Sequence, residues 1–262
     1  MTDGIVLHRS EFLVLLDAMK VPGIIGIDNE ALLPKHQAEQ QQLVQQGVRR
    51  LAQRGWLYGE NGSYVLHGDL MMMASVVALP QIVFITVRET AETGGQLFCH
   101  YLTNQYIVEQ TLPAPEQYRL ATLPDLPTLW QRLYHILPLP ETNEGVPGFS
   151  LSEADFGLFY EQVKARDAAA INQHLTTHQV AASSRTALIQ TLETAQVWGT
   201  TAILAVKGTQ VTDARNLALF SNEQQVWQMA QPYPDLTRFL IEPTNQAANQ
   251  QQLAQWLQEL SK

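Results

Sequence analysis

His174 and His178 stand four residues apart at the end of a segment whose pattern predicts a helix over 168–177. Residues i and i+4 share a helix face, so the pair has the spacing of two zinc ligands. Leu175, Thr176 and Thr177 lie between them, no glutamate adjoins the first histidine, and no third ligand is near. The pair therefore reads as surface histidines of a helix, not as a metal site. Cys99 and His100 place a thiol beside a base. They are neighbours in a predicted strand, where successive side chains point to opposite faces, so no thiolate–imidazole pair follows and Cys99 reads as a buried structural cysteine. Glu153 and Asp155 fall in the first turn of a predicted helix, where negative charge favours the helix dipole without a catalytic role. The sequence contains no Gly-x-Ser-x-Gly elbow, Walker loop or Gly-x-Gly-x-x-Gly, and Gly59, Gly62, Gly94 and Gly95 sit in predicted hairpin turns. These patterns predict no enzyme and no catalytic, cofactor or metal site.

Two other groups of residues bear on binding. Met71, Met72 and Met73 open a predicted helix, and three consecutive positions span nearly all its circumference. At least one must face away from the core, and a deformable methionine surface suits a protein partner. Arg49, Arg50 and Arg54 lie on a predicted helix followed by a hairpin over 55–66, with Asn61-Gly62 as its turn. That order admits a winged-helix DNA-binding reading. Against it stands a formal charge of -9, from 16 basic and 25 acidic residues, which repels a polyphosphate at long range. Nucleic acid is not an expected partner.

The 262 residues suffice for one large or two modest cores, and 45% hydrophobic against 16% charged residues is a composition that folds. The single cysteine makes no internal disulfide and suits a reducing compartment. Met1 to Ile5 show no basic stretch before an apolar one, and the longest apolar run, 70–80, falls short of the roughly 20 residues a bilayer span needs. A cytoplasmic protein without membrane contact is the expectation.

Periodicity places helices over 10–19 and 35–53, the second with an exposed run of glutamines, and a helix over 70–79 capped by Asp69 and ended by Pro80. Strands over 82–87, 96–102, 106–110 and 118–123, joined by short turns, predict an antiparallel meander, and a helix over 126–137 follows. Prolines and glycines mark a link over 141–148. The order then repeats. A helix begins at Ser152 with a Ser152-to-Asp155 capping pattern, and helices over 168–177 and 184–197 follow. Strands over 202–206, 215–220, 225–229 and 237–243 come next, then a helix over 247–260. Leu7, Phe12 and Leu15 lie 144 residues before Leu151, Phe156 and Phe159, and the strand 118–124 lies 119 before 237–243. The predicted class is α+β, with two quasi-repeated halves, 1–140 and 149–262, each of helices packed on an antiparallel sheet.

The order of elements resembles the EspG family, the cytosolic chaperones of type VII (ESX) secretion that bind PE–PPE substrates. Three stretches carry the resemblance: the opening helix over 10–16; the helix running into Gly55-Trp56-Leu57-Tyr58; and the helix from Gly68-Asp69-Leu70 to Ala78-Leu79-Pro80, followed directly by a strand. The resemblance covers most of the chain. It implies two quasi-symmetric α+β subdomains and a non-enzymatic role, keeping an aggregation-prone helical secretion substrate soluble in the cytosol. This chain departs in its glutamine-rich composition, and no family binding residue is matched letter by letter. The residues themselves nominate Met71, Met72 and Met73 for partner contact.

Overall fold

The computed structural model describes residues 4–60, 63–142, 145–232 and 235–261. The first half runs β1 (Ile5–His8), α1 (Arg9–Met19), a single turn α2 (Asn29–Leu32), α3 (Gln37–Gln53), the hairpin β2 (Leu57–Glu60) and β3 (Ser63–Leu66), and α4 (Gly68–Ala78). It continues as β4 (Ile82–Thr90), β5 (Gly94–Leu102), β6 (Ile107–Ala114), β7 (Gln117–Leu123) and α5 (Leu126–Ile136). The second half runs β8 (Phe149–Ser152), α6 (Glu153–Lys164), α7 (Ala168–Thr177) and α8 (Ala182–Glu193), then β9 (Val197–Lys207), β10 (Gln210–Ser221), β11 (Val226–Ala230), β12 (Arg238–Thr244) and α9 (Gln246–Leu260).

The two meanders are not separate sheets. Apart from the β2–β3 hairpin, the strands form one antiparallel sheet in the order β1-β7-β6-β5-β4-β9-β10-β11-β12-β8. The halves meet where β4 pairs β9, with Thr86 opposite Thr201 and their hydroxyls 3.5 Å apart. Outward from that pair the register advances in step. Thr86 meets Phe98 and Thr201 meets Leu217; Phe98 meets Thr111 and Leu217 meets Ala230. Thr111 then meets Arg119 and Ala230 meets Leu240, while Arg119 meets Val6 and Leu240 meets Ser150.

Counted outward from the β4–β9 pair, the two sides of the sheet carry pairings of equal rank. Leu7 pairs with Tyr118 as Leu151 pairs with Phe239, so Leu151 follows Leu7 by 144 residues and Phe239 follows Tyr118 by 121. The expected spacing of 119, which matched Arg119 to Arg238, is two residues short. Two residues is one full strand period and leaves the inward face unchanged, so the apolar pattern could not detect the slip. A stacked aromatic pair joins helix to strand at this position on each side: Phe12 lies on Tyr118 with centroids 4.5 Å apart, and Phe156 lies on Phe239 at 3.7 Å.

Strand alternation gives the sheet two differently covered faces. On one, α5 and α9 bury Leu129, Trp130, Leu133, Leu253 and Trp256 against Ile82, Phe84, Ile203, Leu217 and Leu219 in a core spanning both halves. Asp125 and Asn245 cap these two helices alike, accepting from the amides of Thr128 and Ala248. The other face carries two separate layers. Helices α1 and α4 pack on Val83, Tyr101, Val108 and Leu120, and α6 to α8 pack on Phe220, Trp227, Met229 and Ile241.

Local chemistry explains where the elements depart from expectation. His8, at the end of β1, caps α1 in a box with Glu11, as Ser152 caps α6 by accepting from the Asp155 amide. The four-residue edge strands before these caps are too short to show a period in sequence. Helix α4 starts at Gly68 with His67 as its cap, so Asp69 lies inside the first turn instead of capping it. Helix α8 ends at Glu193, and Val197, expected at its end, opens β9. The strands of the expected 55–66 hairpin pair, but its Asn61-Gly62 turn lies outside the described residues.

Candidate protein-binding surface

The residues singled out for chemistry are spread over the molecule. His174 and His178 are neighbours at the end of α7, ring centroids 4.8 Å apart, with His178 Nε2 3.6 Å from Asp155. Burial, and after it the neighbouring His178, lowers the His174 pKa, with Asp155 opposing. Among the described residues no three or more His, Cys, Asp or Glu side chains converge to hold a metal ion. Cys99 is buried under the loop at Gly26, whose carbonyl lies 3.5 Å from Sγ. Burial pushes its thiol up to about 11, against a lowering contribution from Tyr101. His100 points to the opposite face, as alternation requires.

That opposite face holds a buried polar node. Glu109, 1% exposed, receives Arg132 on both oxygens, with Arg119 at 3.4 Å and His100 Nε2 at 3.3 Å. Burial raises the Glu109 pKa, but hydrogen bonds from His100 and Arg132 and then their charges bring it down to about 2. The second half builds the same strand-to-helix tie from amides: Gln228 Nε2 donates to Gln252 at 2.9 Å and to Glu242 at 2.8 Å. The node ties α5 to the sheet around a buried carboxylate and imidazole, with Arg132 and Arg119 half-buried at its edge.

The arginines of the winged-helix reading are partly committed elsewhere. Arg54 Nη1 donates to both oxygens of buried Glu11, at 2.8 and 3.0 Å, and so fastens the end of α3 to α1. The three methionines divide as their spacing implies: Met73 is buried in the first-half core, Met72 is half-buried against it, and Met71 is 43% exposed. Tyr58 and Tyr64 on the preceding hairpin are exposed as well.

One concave surface lies on the layered face of the sheet, between the two helical layers. Between them, the middle of the sheet presents Ile85 and Val87 of β4, Leu97 of β5, and Thr200 and Ala202 of β9, all half-buried or exposed. Toward the second layer this strip deepens into a cleft of about 340 Å³ bounded by Val87, Glu89, Tyr160, Trp198 and Thr200. Two cations stand on its rim. The Arg166 guanidinium lies 5.9 Å above the Trp198 ring and the Lys164 ammonium 5.5 Å from the Tyr160 ring. Arg166 holds φ at 53° just beyond α6, a conformation costly for a side chain of its size. The arrangement is an apolar floor with a cationic wall on one side and Glu89 on the other. Sequence reading missed this surface because Trp198 fell in no predicted element, just past a helix expected to end at Val197, and because β4 and β9 become neighbours only in the fold.

No family model matches the chain, and no curated protein matches it. The architecture is nonetheless a known one: two meanders joined in a single sheet, with paired helical layers on one face and a helix from each half on the other, define an EspG-like fold. The type VII secretion system chaperone EspG5 of Mycobacterium tuberculosis, solved in complex with a PE25–PPE41 dimer, has this fold at a TM-score of 0.67. The likeness covers 93% of this chain and 92% of that chain at 9% sequence identity, and is one of fold. Among the described residues no helix is long and apolar enough to cross a membrane.

Proposed function

We propose that the protein is a non-enzymatic binding protein of the EspG type, holding a helical secretion partner soluble in the cytosol. The observation that carries this reading is the fold match along nearly the whole chain to a chaperone solved in complex with a PE25–PPE41 dimer. The open strip at Ile85, Val87, Thr200 and Ala202 is the surface assigned to the partner, because apolar side chains left half-exposed between two rigid layers gain from covering. Met71, with the exposed tyrosines of the β2–β3 hairpin, is a second contact region; Met73 serves the core, and Met72 sits between the two roles. We assign residues 1–140 and 149–262 to two copies of one α+β unit joined by the link 141–148, on the strength of the matched ladder registers.

Affinity capture with the full-length protein from its native cells, read by mass spectrometry, tests the proposal. Recovery of small helical secreted proteins is the expected result. Recovery of a DNA fragment, or of no protein under gentle salt, refutes it.

A further inference from the structure

The face of the sheet opposite the strip carries α5 and α9 side by side, and the two ends of this helix pair are finished differently. At one end the chain leaves α5, runs through Leu137 and Leu139 along the shared core, and brings the Pro140 carbonyl to the Gln246 amide at 3.1 Å. Gln246 is the first residue of α9 after its Asn245 cap. Leu137 seats so closely on β9 that a Cβ at Gly199 would lie 2.5 Å from its Cδ2. An extended leucine–proline segment therefore fills the groove between the end of α5 and the start of α9.

At the other end, the counterpart groove between the end of α9 and the start of α5 holds no such segment among the described residues. Helix α9 continues to Leu260 where α5 stopped at Ile136, so the chain does not cross to its neighbour. An open groove of about 950 Å³ remains, floored by Ile82, Ala205 and Val206 and walled by Leu257, Leu260 and Leu126. Leu126 follows the Asp125 cap as Gln246 follows Asn245, and among the described residues no carbonyl accepts its amide. At the mouth stands the exposed Lys207, which has no carboxylate partner among the described residues.

We propose that this groove binds an extended, proline-containing apolar segment of a partner protein. The segment presents a carbonyl to the Leu126 amide, as Pro140 presents one to Gln246 in the occupied groove, and a carboxylate to Lys207. Its apolar side chains supply the burial, the amide fixes its register, and Lys207 supplies the charge complement. The site lies on the other face of the sheet from the chaperone strip and does not depend on that reading.

The probe is a synthetic peptide copying residues 136–141, with glutamine in place of Glu141 and a free C-terminal carboxylate, titrated into the full-length protein and followed by amide NMR shifts. Saturable shifts confined to Leu126, Val206 and Lys207 are expected. Leu126→Pro deletes the amide at a helix position that tolerates proline, and should weaken binding roughly two- to ten-fold with the melting temperature kept. Lys207→Glu should weaken the carboxylate peptide while leaving its amidated form unaffected. The proposal fails if millimolar peptide produces no shifts, if the shifts centre on Gln246, or if both variants bind like the parent.

Discussion

Replacing Gly47 with alanine tests the packing that holds the first helical layer to the sheet. In an ordinary helix interior this change stabilises, by about 0.5–1 kcal/mol, because glycine loses more backbone entropy on folding. Gly157, exposed in α6 with nothing within 4 Å of an added Cβ, should show that gain. At Gly47 of α3 the same Cβ would stand 1.9 Å from the Ser10 carbonyl oxygen and 2.5 Å from its carbon. These are backbone atoms of buried α1 and cannot swing aside as a side-chain tip can. Helix α3 must therefore withdraw by roughly 1 Å, and overpacking of this kind costs about 1–3 kcal/mol. The withdrawal also pulls on the Arg54–Glu11 pair at the end of the same seam. After the propensity gain is offset, Gly47→Ala should destabilise by about 1–2 kcal/mol and lower the melting temperature by about 2–4 °C per kcal/mol. Urea unfolding followed by circular dichroism compares the two variants directly. If Gly47→Ala raises the midpoint as Gly157→Ala does, the close approach of α1 and α3 is wrong.

Arg54→Ala should cost about 1–3 kcal/mol, because it removes the group that donates to both oxygens of buried Glu11; a urea midpoint within error of the parent contradicts this. The Glu109 node sets acid stability. Its carboxyl, held at about 2 in the folded protein against an ordinary 4.5, gives stability that is complete above pH 4.5 and is lost as pH falls from there toward 2. The loss attributable to this group is about 3 kcal/mol. The double variant Glu109→Gln with Arg132→Gln, which copies the amide pair Gln228–Gln252 of the second half, should unfold with a flatter acid dependence; an unchanged slope between pH 5 and pH 2.5 refutes the assignment.

Much of the architecture was legible because the central strands are long apolar runs and because α5 and α9 carry clean amphipathic stripes. The edge strands were not, since four residues such as Ile5–His8 pair on one side only and merge with the helix they precede. The junction of the halves was equally hidden: β4 and β9 lie more than 100 residues apart, and nothing local to Val87 or Thr200 announces that the two share a strip. The methionine run showed that one side chain must face outward, yet which one depends on how α4 sits on the sheet, a tertiary fact. Glu109 read as one polar residue in a strand, because its partner Arg132 reaches it only when α5 folds back. The difference between the expected spacing of 119 and the 121 of the strand ladder has the same origin, since an even slip preserves the face pattern.

The central claim is that the middle of the sheet holds a protein partner. Capture from native cells with the parent and with the doubly substituted Val87→Glu and Thr200→Glu protein tests it most directly, because both side chains are accessible and neither belongs to a core cluster. The account predicts that the parent retains a small helical partner and that the variant, with its melting temperature kept, loses at least about ten-fold of it. Equal recovery of the same partner by the two proteins would contradict the assignment of that surface.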